Sequence, residues 1–293
     1  LAMTIAVPAV AVGVDYPAGP SRALDWAAQE ALARSAPLRL VTGWTGAAHH
    51  DPDLLRDGFL KASARKLLEE AAQLTELSHP GLAVTCEVVD ADARQALERP
   101  WDGVQLLVVG ATRAHRFPER VLGSASLHVA ATAGCPVVVV PEDPYAGLSV
   151  RGDGPVVLGI DGREPARDLV AFAFESAVRE DAPLGVVHAW HQSPTGGSDG
   201  AFRLPDEGRV TAEQDMRLYR ILASWKARYP EVDLHPETVH SGAIRALVRL
   251  SRQARLVVVG RHGHPTGPLG RLGSVSQGVI LNARCPVAVI PTP

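Results

Sequence analysis

The chain has 293 residues, of which 46% are hydrophobic and 21% are charged, so it can bury sizeable cores, and its length favours two domains of about 150 residues each. Its 29 basic and 32 acidic residues give a net charge of −3, which shows no basic footprint for nucleic acid. No apolar run approaches the roughly 18 residues that span a bilayer, and the apolar start lacks the basic region of a secretory signal, so we expect no membrane segment.

Short apolar runs alternate with helical patterns along the chain. In the first half, strands are predicted at 10–14, 38–42, 105–109 and 136–140, and helices at about 21–34, 60–77, 92–99 and 124–133. In the second half, strands are predicted at 156–160, 184–188, 256–259 and 286–290, and helices near 165–180, 211–228, 242–253 and 274–283. This alternation predicts an α/β fold with parallel sheets and right-handed crossovers.

The third strand of the second half has a different pattern. Residues 232–239 alternate apolar and polar side chains and include Pro236, which is typical of an edge strand. An edge position for strand 3 fits a doubly wound five-stranded sheet of order 3-2-1-4-5. In that order, ligands bind where strands 1 and 4 end, so the candidate site residues should follow those two strands.

The two halves are copies of one unit. Residues 10–15 recur as 156–161, an offset of 146, and residues 122–126 recur as 272–276, an offset of 150. Five such blocks keep the same order, which chance does not explain. A stretch rich in Pro, Gly and Asp at 141–155 is typical of a linker. The predicted domains are residues 1–145 and 150–293.

A glycine-rich loop follows strand 4 of the second copy. It carries glycines at 260, 263, 267, 270 and 273 and ends at Ser274, where a helix begins. Glycine lets the backbone approach a ligand closely, and a helix N-terminus favours phosphate. The hydroxyls of Ser274 and Ser276 and the charges of Arg261 and Arg271 could assist. The alternative is a flexible loop with Ser274 as a plain N-cap, but the position after strand 4 favours a phosphate site.

An aspartate follows strand 1 in each copy, at Asp15 and Asp161. Its carboxylate could accept hydrogen bonds from a ribose hydroxyl or a base amino group, whereas the alternative is an ordinary turn residue. Gly13 and Gly159 stand two positions earlier. They would let a flat ring lie near the strand end, or they would serve tight packing of a helix on the sheet.

Other constellations give little support for an enzyme. The chain lacks a nucleophile elbow, a Walker A sequence and a dinucleotide fingerprint. Its histidines have no metal-ligand spacing, so we expect solvated loop histidines at 49, 50, 188, 191, 262 and 264. Three distant cysteines (Cys86, Cys135 and Cys285) without a CxxC pair indicate free thiols and a cytoplasmic protein.

The spacing Gly260-x2-Gly263-x9-Gly273-Ser274 resembles the G-2x-G-9x-G-[S/T] signature of the universal stress protein family. A Val-Gly-Val-Asp first strand and a Cys-Pro-Val-Val-Val final strand are also similar to that family, and the resemblance covers the chain twice. It implies a tandem member with α/β domains. Many members bind ATP at the strand crossover, whereas others have a degenerate motif and bind none.

The resemblance implies two ATP sites, with Mg²⁺ as a candidate companion ion and no metal ligands from protein side chains. In the first copy the implied site residues are Gly13, Asp15, Val41, Gly110, Arg113, Gly123, Ser124 and Ser126. In the second copy they are Gly159, Asp161, Val187, Gly260, Arg261, Gly263, Gly273, Ser274, Val275 and Ser276. The final strands, 137–140 and 287–290, resemble the family's dimerising edges, so the copies could pair within one chain, and two chains could also form a homodimer.

The first copy departs from the motif, because Arg113 stands where the second copy has Gly263. Our leading hypothesis is an ATP-binding stress sensor or regulator, not an enzyme, with at most slow hydrolysis because no general base is evident. The second is an interaction module that needs no nucleotide, its sites being relics. The third and weakest is a slow nucleotide-processing enzyme, for which only Asp15 and Asp161 are candidate carboxylates.

Overall fold

The computed structural model describes residues 7–14, 21–44, 54–99, 101–111, 124–141, 152–161, 165–190, 207–261 and 272–292. The first half contains β1 (Ala9–Gly13), α1 (Arg22–Ala33), β2 (Leu38–Gly43), α2 (Leu54–Ser78), β3 (Val84–Val89), α3 (Ala93–Glu98), β4 (Val104–Ala111), α4 (Ser124–Thr132) and β5 (Val137–Pro141). The second half contains β6 (Val156–Ile160), α5 (Arg167–Arg179), β7 (Leu184–Trp190), α6 (Glu207–Arg228), β8 (Leu234–His240), α7 (Ala243–Leu250), β9 (Leu256–Arg261), α8 (Ser274–Asn282) and β10 (Val287–Pro291).

The ten strands within the described residues form one sheet, in the order β3-β2-β1-β4-β5-β10-β9-β6-β7-β8. Each half therefore has the predicted order 3-2-1-4-5, and its strands pair in parallel. The two halves join where β5 and β10 pair antiparallel, with Val138 opposite Ala288. The copies thus pair within one chain through their final strands, whereas pairing between two chains stays a prediction.

Helices cover both faces of this sheet. One apolar cluster packs α1, α2, α5 and α6 against one face, and it includes Leu106 and Phe174. A second cluster packs α3, α4, α7 and α8 against the other face, and it includes Val129 and Val279. Each cluster draws residues from both halves, so the core is continuous across the β5–β10 seam.

Local signals set the ends of the first helix of each half. Ser21 caps α1, because its hydroxyl oxygen accepts a hydrogen bond from the Leu24 N–H at 3.0 Å. After α1 and α5 the chain turns through a left-handed residue, Ser35 at φ 50° and Asp181 at φ 47°, which are equivalent positions. α2 begins at Leu54, six residues before the predicted start, because the apolar period alone marked only its later turns.

A buried charge network spans the seam. Glu30 of α1 is 3% exposed, and its Oε1 lies 2.7 Å from Nε of Arg34 and 3.2 Å from Nη2 of Arg179 in α5. Arg34 also donates from Nη1 to Oε1 of Gln105 and lies over the Phe172 ring, 5.5 Å from its centroid. One carboxylate therefore offsets two guanidinium groups from different halves.

Replacing Gly43 with alanine should destabilise the fold by about 1–3 kcal/mol, because the new methyl group has no room. A Cβ at Gly43 would lie 2.7 Å from the backbone of Asp92 and Ala93, which cannot swing aside as a side chain could. Urea unfolding would measure the loss. Gly134→Ala is the control, since a Cβ there meets nothing within 4 Å. Equal stability of the two variants would contradict the expected crowding.

Raising the pH above 9 should destabilise the protein through two thiols beside the seam. Burial raises the pKa of Cys135 to about 11 and that of Cys285 to about 12, from an ordinary value of 9.0. Both thiols are neutral in the folded and unfolded chain below pH 9, but between pH 9 and 12 only the unfolded chain readily ionises them. Their contribution is therefore complete below pH 9 and falls as the pH rises to about 12.

Unfolding of wild type and of Cys135→Ala/Cys285→Ala at pH 8 and pH 10.5 would measure this effect. We expect the variant to lose less stability than wild type between the two pH values. An identical loss would show that other groups govern the alkaline limit.

Candidate functional site

The sheet opens into a cavity of about 300 Å³ at the carboxyl ends of β6 and β9. These are strands 1 and 4 of the second half, between which the strand order reverses, so the cavity lies where the sequence predicts a ligand. The predicted site residues that line it are Gly159, Asp161, Val187, Gly260, Gly273, Ser274, Val275 and Ser276.

One end of the cavity is the N-terminus of α8. Gly273 occupies the N-cap position with extended backbone, φ −71° and ψ 157°, and no side chain caps the helix. Ser274 and Val275 are exposed in the first turn. The backbone N–H groups of this turn can therefore donate hydrogen bonds to a ligand in the cavity. The positive end of the helix dipole favours an anion there.

The other end combines one carboxylate with apolar walls. Asp161 is exposed at the end of β6, and Val187 and Ala189 of β7 line the same cavity. A Cβ at Gly159 would lie 2.9 Å from Cδ1 of Leu247, so this glycine admits α7 close to the sheet. Of the two interpretations of that glycine, the structure supports helix packing, while Gly159 also borders the cavity.

The predicted role of Arg261 beside the phosphates is wrong. Its side chain is 8% exposed, does not line the cavity, and donates from Nη1 to the Ala133 carbonyl of the first half at 2.6 Å. Strand alternation does not explain this, because Val259, two residues earlier on the same face of β9, lines the cavity. The Arg261 guanidinium instead extends across the seam to Ala133, the residue that follows α4. Arg261 therefore links the two halves.

Ser276 and its counterpart Ser126 make the same contact in each half. The Ser276 hydroxyl donates to the Gly260 carbonyl at 2.7 Å, and the Ser126 hydroxyl donates to the Gly110 carbonyl at 2.7 Å. A hydroxyl has one hydrogen to donate, so these two serines tie helix to strand. What Ser276 offers to the cavity is its backbone N–H and its oxygen lone pairs, not a free hydroxyl donor.

Only part of the first-half site lies within the described residues. A Cβ added at Gly13 would lie 3.1 Å from Cδ1 of Leu97. Gly13 therefore lets α3 pack close to the sheet, as Gly159 does for α7 in the second half. Val41 is buried on β2, and its carbonyl accepts a hydrogen bond from the Val14 N–H at 2.8 Å. α4 begins at Ser124. The other predicted residues of the two sites, together with Arg271, lie outside the described residues: Asp15, Arg113, Gly123, Gly263 and Arg271.

One histidine prediction is wrong. β7 continues to Trp190, so His188 is a strand residue that is 5% exposed rather than a solvated loop residue. Its Nδ1 lies 3.3 Å from the Ile160 carbonyl and its Nε2 lies 3.2 Å from Oε1 of Gln214. The other predicted loop histidines lie outside the described residues. Within the described part of the chain, no group of three His, Cys, Asp or Glu side chains is placed to hold a metal ion.

Sequence reasoning missed two walls of the cavity. Leu169 from the first turn of α5 and Ala243 and Leu247 from α7 line it. The helical pattern over 242–253 was recognised, but the face that α7 turns to the sheet was not assigned. The signal in the sequence is that a glycine at the end of strand 1, Gly159, leaves room for a large side chain of the helix after strand 3, which is Leu247.

Comparisons with known proteins agree with this architecture. The sequence profile described as the universal stress protein family matches residues 8–141 and 154–291. A universal stress protein of Mycobacterium tuberculosis is 31% identical over 303 residues, covering 97% of this chain and 95% of that protein. Another from the same organism is 33% identical over 294 residues, covering 96% of this chain and 95% of its own.

A solved structure has the same fold over the whole chain. The crystal structure of a universal stress protein from Archaeoglobus fulgidus superposes with a TM-score of 0.71 at 17% identity, covering 98% of this chain and 97% of that one. Among the helices within the described residues, none combines the length and apolar character needed to cross a membrane.

Proposed function

Because this chain belongs to the universal stress protein family, we propose that it is an ATP-binding sensor or regulator of the stress response, with its ligand in the cavity of the second half. The observation that supports this most directly is the pairing of an uncapped helix N-terminus with a carboxylate across one cavity. Phosphates suit the first and a ribose suits the second.

The walls and size of the cavity fit a nucleotide. Small-molecule sites typically enclose about 300–1,000 Å³ with mostly apolar lining and a few polar groups. This cavity measures about 300 Å³, and Val187, Ala189 and Leu247 provide apolar surface for a flat base. Asp161 would accept hydrogen bonds from ribose hydroxyls, while the N–H groups after Gly273 would hold phosphate oxygens. The choice of adenine rests on the family resemblance.

We further propose that the site binds ATP rather than turning it over rapidly. Among the described lining residues, Asp161 carries the one ionisable side chain, and it stands at the end assigned to the ribose. No described side chain at the α8 end is a general base that could activate water. Mg²⁺ would accompany ATP by binding its phosphates, neutralising charge there, and would need no side-chain ligand.

The alternative is a nucleotide-independent interaction module, and it applies best to the first half. Arg113 replaces the glycine that the second copy has at the corresponding position, Gly263. If that half binds no nucleotide, it acts as a structural partner that completes the ten-stranded sheet.

Acid extraction of the freshly purified protein, with the released nucleotide identified and counted, tests the proposal, followed by ATP titration of the stripped protein. Two ATP per chain would mean that both halves bind and Arg113 is tolerated. One ATP would assign binding to the second half and make the first a partner. No nucleotide from the cell and no binding on titration would refute the proposal and leave the interaction module.

A further inference from the structure

A second depression lies on the outer surface of the second half, between α7 and α8. It is an open groove of about 620 Å³. Its lining combines the apolar side chains of Ile244 and Val248, here called its floor, with polar side chains that include His240, Arg245 and Asn282. Ile244 is 37% exposed although it is apolar. A Cβ at Gly278 would lie 2.6 Å from Cδ1 of Ile244, so the missing side chain of α8 makes room for that floor.

The groove is separate from the nucleotide cavity. Ala243 and Leu247 line the cavity, whereas Ile244 and Val248, one residue further along each turn of α7, line the groove. The helix is therefore a shared wall with one face toward each depression. An occupant of the groove would not need to enter the nucleotide site.

The first half closes the same surface with charged side chains. The residues 150 positions before Ile244, Val248 and Gly278 are Arg94, Glu98 and His128. Nε of Arg94 and Nε2 of His128 both lie 2.5 Å from Oε1 of Glu98. The charged residues satisfy one another there, so the apolar floor is a feature of the second half and does not follow from the fold.

A strip of basic side chains starts at Arg245 in the groove lining and continues along α7 and past its end. Its members are Arg245, Arg249, Arg252 and Arg284, which are exposed and have no ion-pair partner among the described residues. The backbone N–H of Arg284 donates to Oγ of Ser251 at 3.0 Å, which places it at the end of α7. Arg245 and Arg249 stand four residues apart on one helix, where like charges repel each other.

The first half again differs at the matching positions. The counterparts of the four arginines are Gln95, Arg99, Asp102 and Gly134. Arg99 donates from Nη1 and Nη2 to the two carboxylate oxygens of Glu87, and this pairing lowers the pKa of Glu87. At these four positions the first half therefore has one arginine, which is paired, whereas the second half presents four arginines to solvent.

We propose that this groove docks an acidic segment of a partner protein. Large apolar side chains of that segment lie on Ile244 and Val248, and its carboxylates face the arginine strip. Complementary charge selects the partner and speeds the encounter, while the apolar floor anchors it. The aliphatic floor favours a protein partner over nucleic acid, since the His240 ring that also lines the groove is already stacked on Trp190, with ring centroids 4.4 Å apart.

Fluorescence anisotropy tests the proposal on the full chain. The probe is a fluorescein-labelled synthetic peptide with leucines at i, i+3 spacing among glutamates. We expect saturable binding that weakens about tenfold or more in Arg245→Glu/Arg249→Glu, because both charges then repel the peptide. The matched control is Arg217→Glu/Arg220→Glu on α6, which changes net charge equally at two exposed arginines without described ion-pair partners, and it should bind as wild type does.

A second pair of reagents tests the apolar floor. Ile244→Ser alters a side chain that is already 37% exposed, so the chain should fold normally, as its thermal unfolding would verify. We expect it to weaken peptide binding several-fold, and a probe with serine in place of leucine should bind wild type as weakly. If Ile244→Ser binds the leucine peptide as wild type does, and wild type binds the serine peptide equally well, the proposal is overturned. Binding would then reflect only the attraction of a polyanion to the arginines.

Other occupants are outcomes of the same assay. Equal loss in the α6 control would overturn the docking site, as would an absence of saturable peptide binding. Tighter arginine-dependent binding of oligothymidylate or of phosphatidylglycerol vesicles than of the peptide would reassign the surface to nucleic acid or membrane.

Sedimentation of wild type at rising concentration tests whether the occupant is a second copy of this chain. Its α2 carries exposed Leu74 and Leu77 beside Glu70 and Glu76, which is the chemistry of the proposed segment. Self-association lost in Arg245→Glu/Arg249→Glu would replace an external partner with this chain's own α2.

Discussion

Gly273→Glu should weaken ATP binding to the second half about a hundredfold or more. The substitution places a carboxylate at the N-cap of α8, where the proposed phosphates meet the free backbone N–H groups. Like charges in that position cost several kcal/mol. The fold should survive, because the backbone at Gly273 is extended, with φ −71°, and an acidic residue is favourable at a helix N-terminus. Calorimetric titration of the stripped protein with ATP would measure the loss.

Gly273→Gln is the matched control for size. Glutamine has nearly the shape of glutamate but no charge, so it should retain more affinity than the glutamate variant. A loss as large as that of Gly273→Glu would show that crowding acts rather than charge, and it would contradict the assignment of phosphates to this end of the cavity. If both variants bind ATP with wild-type affinity, the ATP site does not include the N-terminus of α8.

Glu30→Gln should lower the free energy of unfolding by about 3–5 kcal/mol, since it removes the buried carboxylate that two guanidinium groups share. Glu30 is 3% exposed, and the side chains of Arg34 and Arg179 are 11% and 17% exposed. Two guanidinium groups from opposite halves would then face each other without the carboxylate. Urea unfolding followed by circular dichroism would measure the change.

Glu69→Gln is the matched control on the surface. Glu69 pairs with Arg65 at 3.0 Å across the same four-residue spacing as Glu30 and Arg34, with acid and base in the reverse order, but both side chains are half or more exposed. Exposed pairs contribute about 0–1 kcal/mol, so its loss should be small. A loss of less than about 1 kcal/mol in Glu30→Gln would mean that water reaches the network and that the seam depends on its apolar core instead.

Most of the fold could be predicted from the internal repeat of the sequence. Blocks such as 10–15 and 156–161 located strand 1 of each half, and the internal proline of 232–239 placed strand 3 at the edge, as β8 confirms. Strand order and the position of the cavity followed from general rules of doubly wound sheets. Termini of long helices did not, because α2 extends beyond the residues whose apolar period marks it.

Side-chain direction accounts for the errors at the site. The sequence predicts His188 as a solvated loop residue, but on β7 it alternates with Val187 and Ala189, which line the cavity, and so faces the other way. Arg261 is predicted beside the phosphates, but it is the last residue of β9 and its side chain contacts the first half. In runs as uniformly apolar as 256–259, the face of each residue cannot be identified until the strand has a register. Likewise, the contrast between Ile244 and Arg94 was visible in sequence but acquired meaning only when both helices were placed on the sheet.

The β5–β10 seam also affects how this protein is made. β5 is complete once residue 141 has been synthesised, but its antiparallel partner is the last strand of the described chain, ending at residue 291. If the first half folds as it emerges, Val137 to Val140 form an all-valine edge that no strand covers until β10 has been made. Such edges pair readily with other nascent chains. Slow translation of the second half therefore lengthens the time during which the emerging chain is exposed to aggregation, and a chaperone that shields this one edge would protect it.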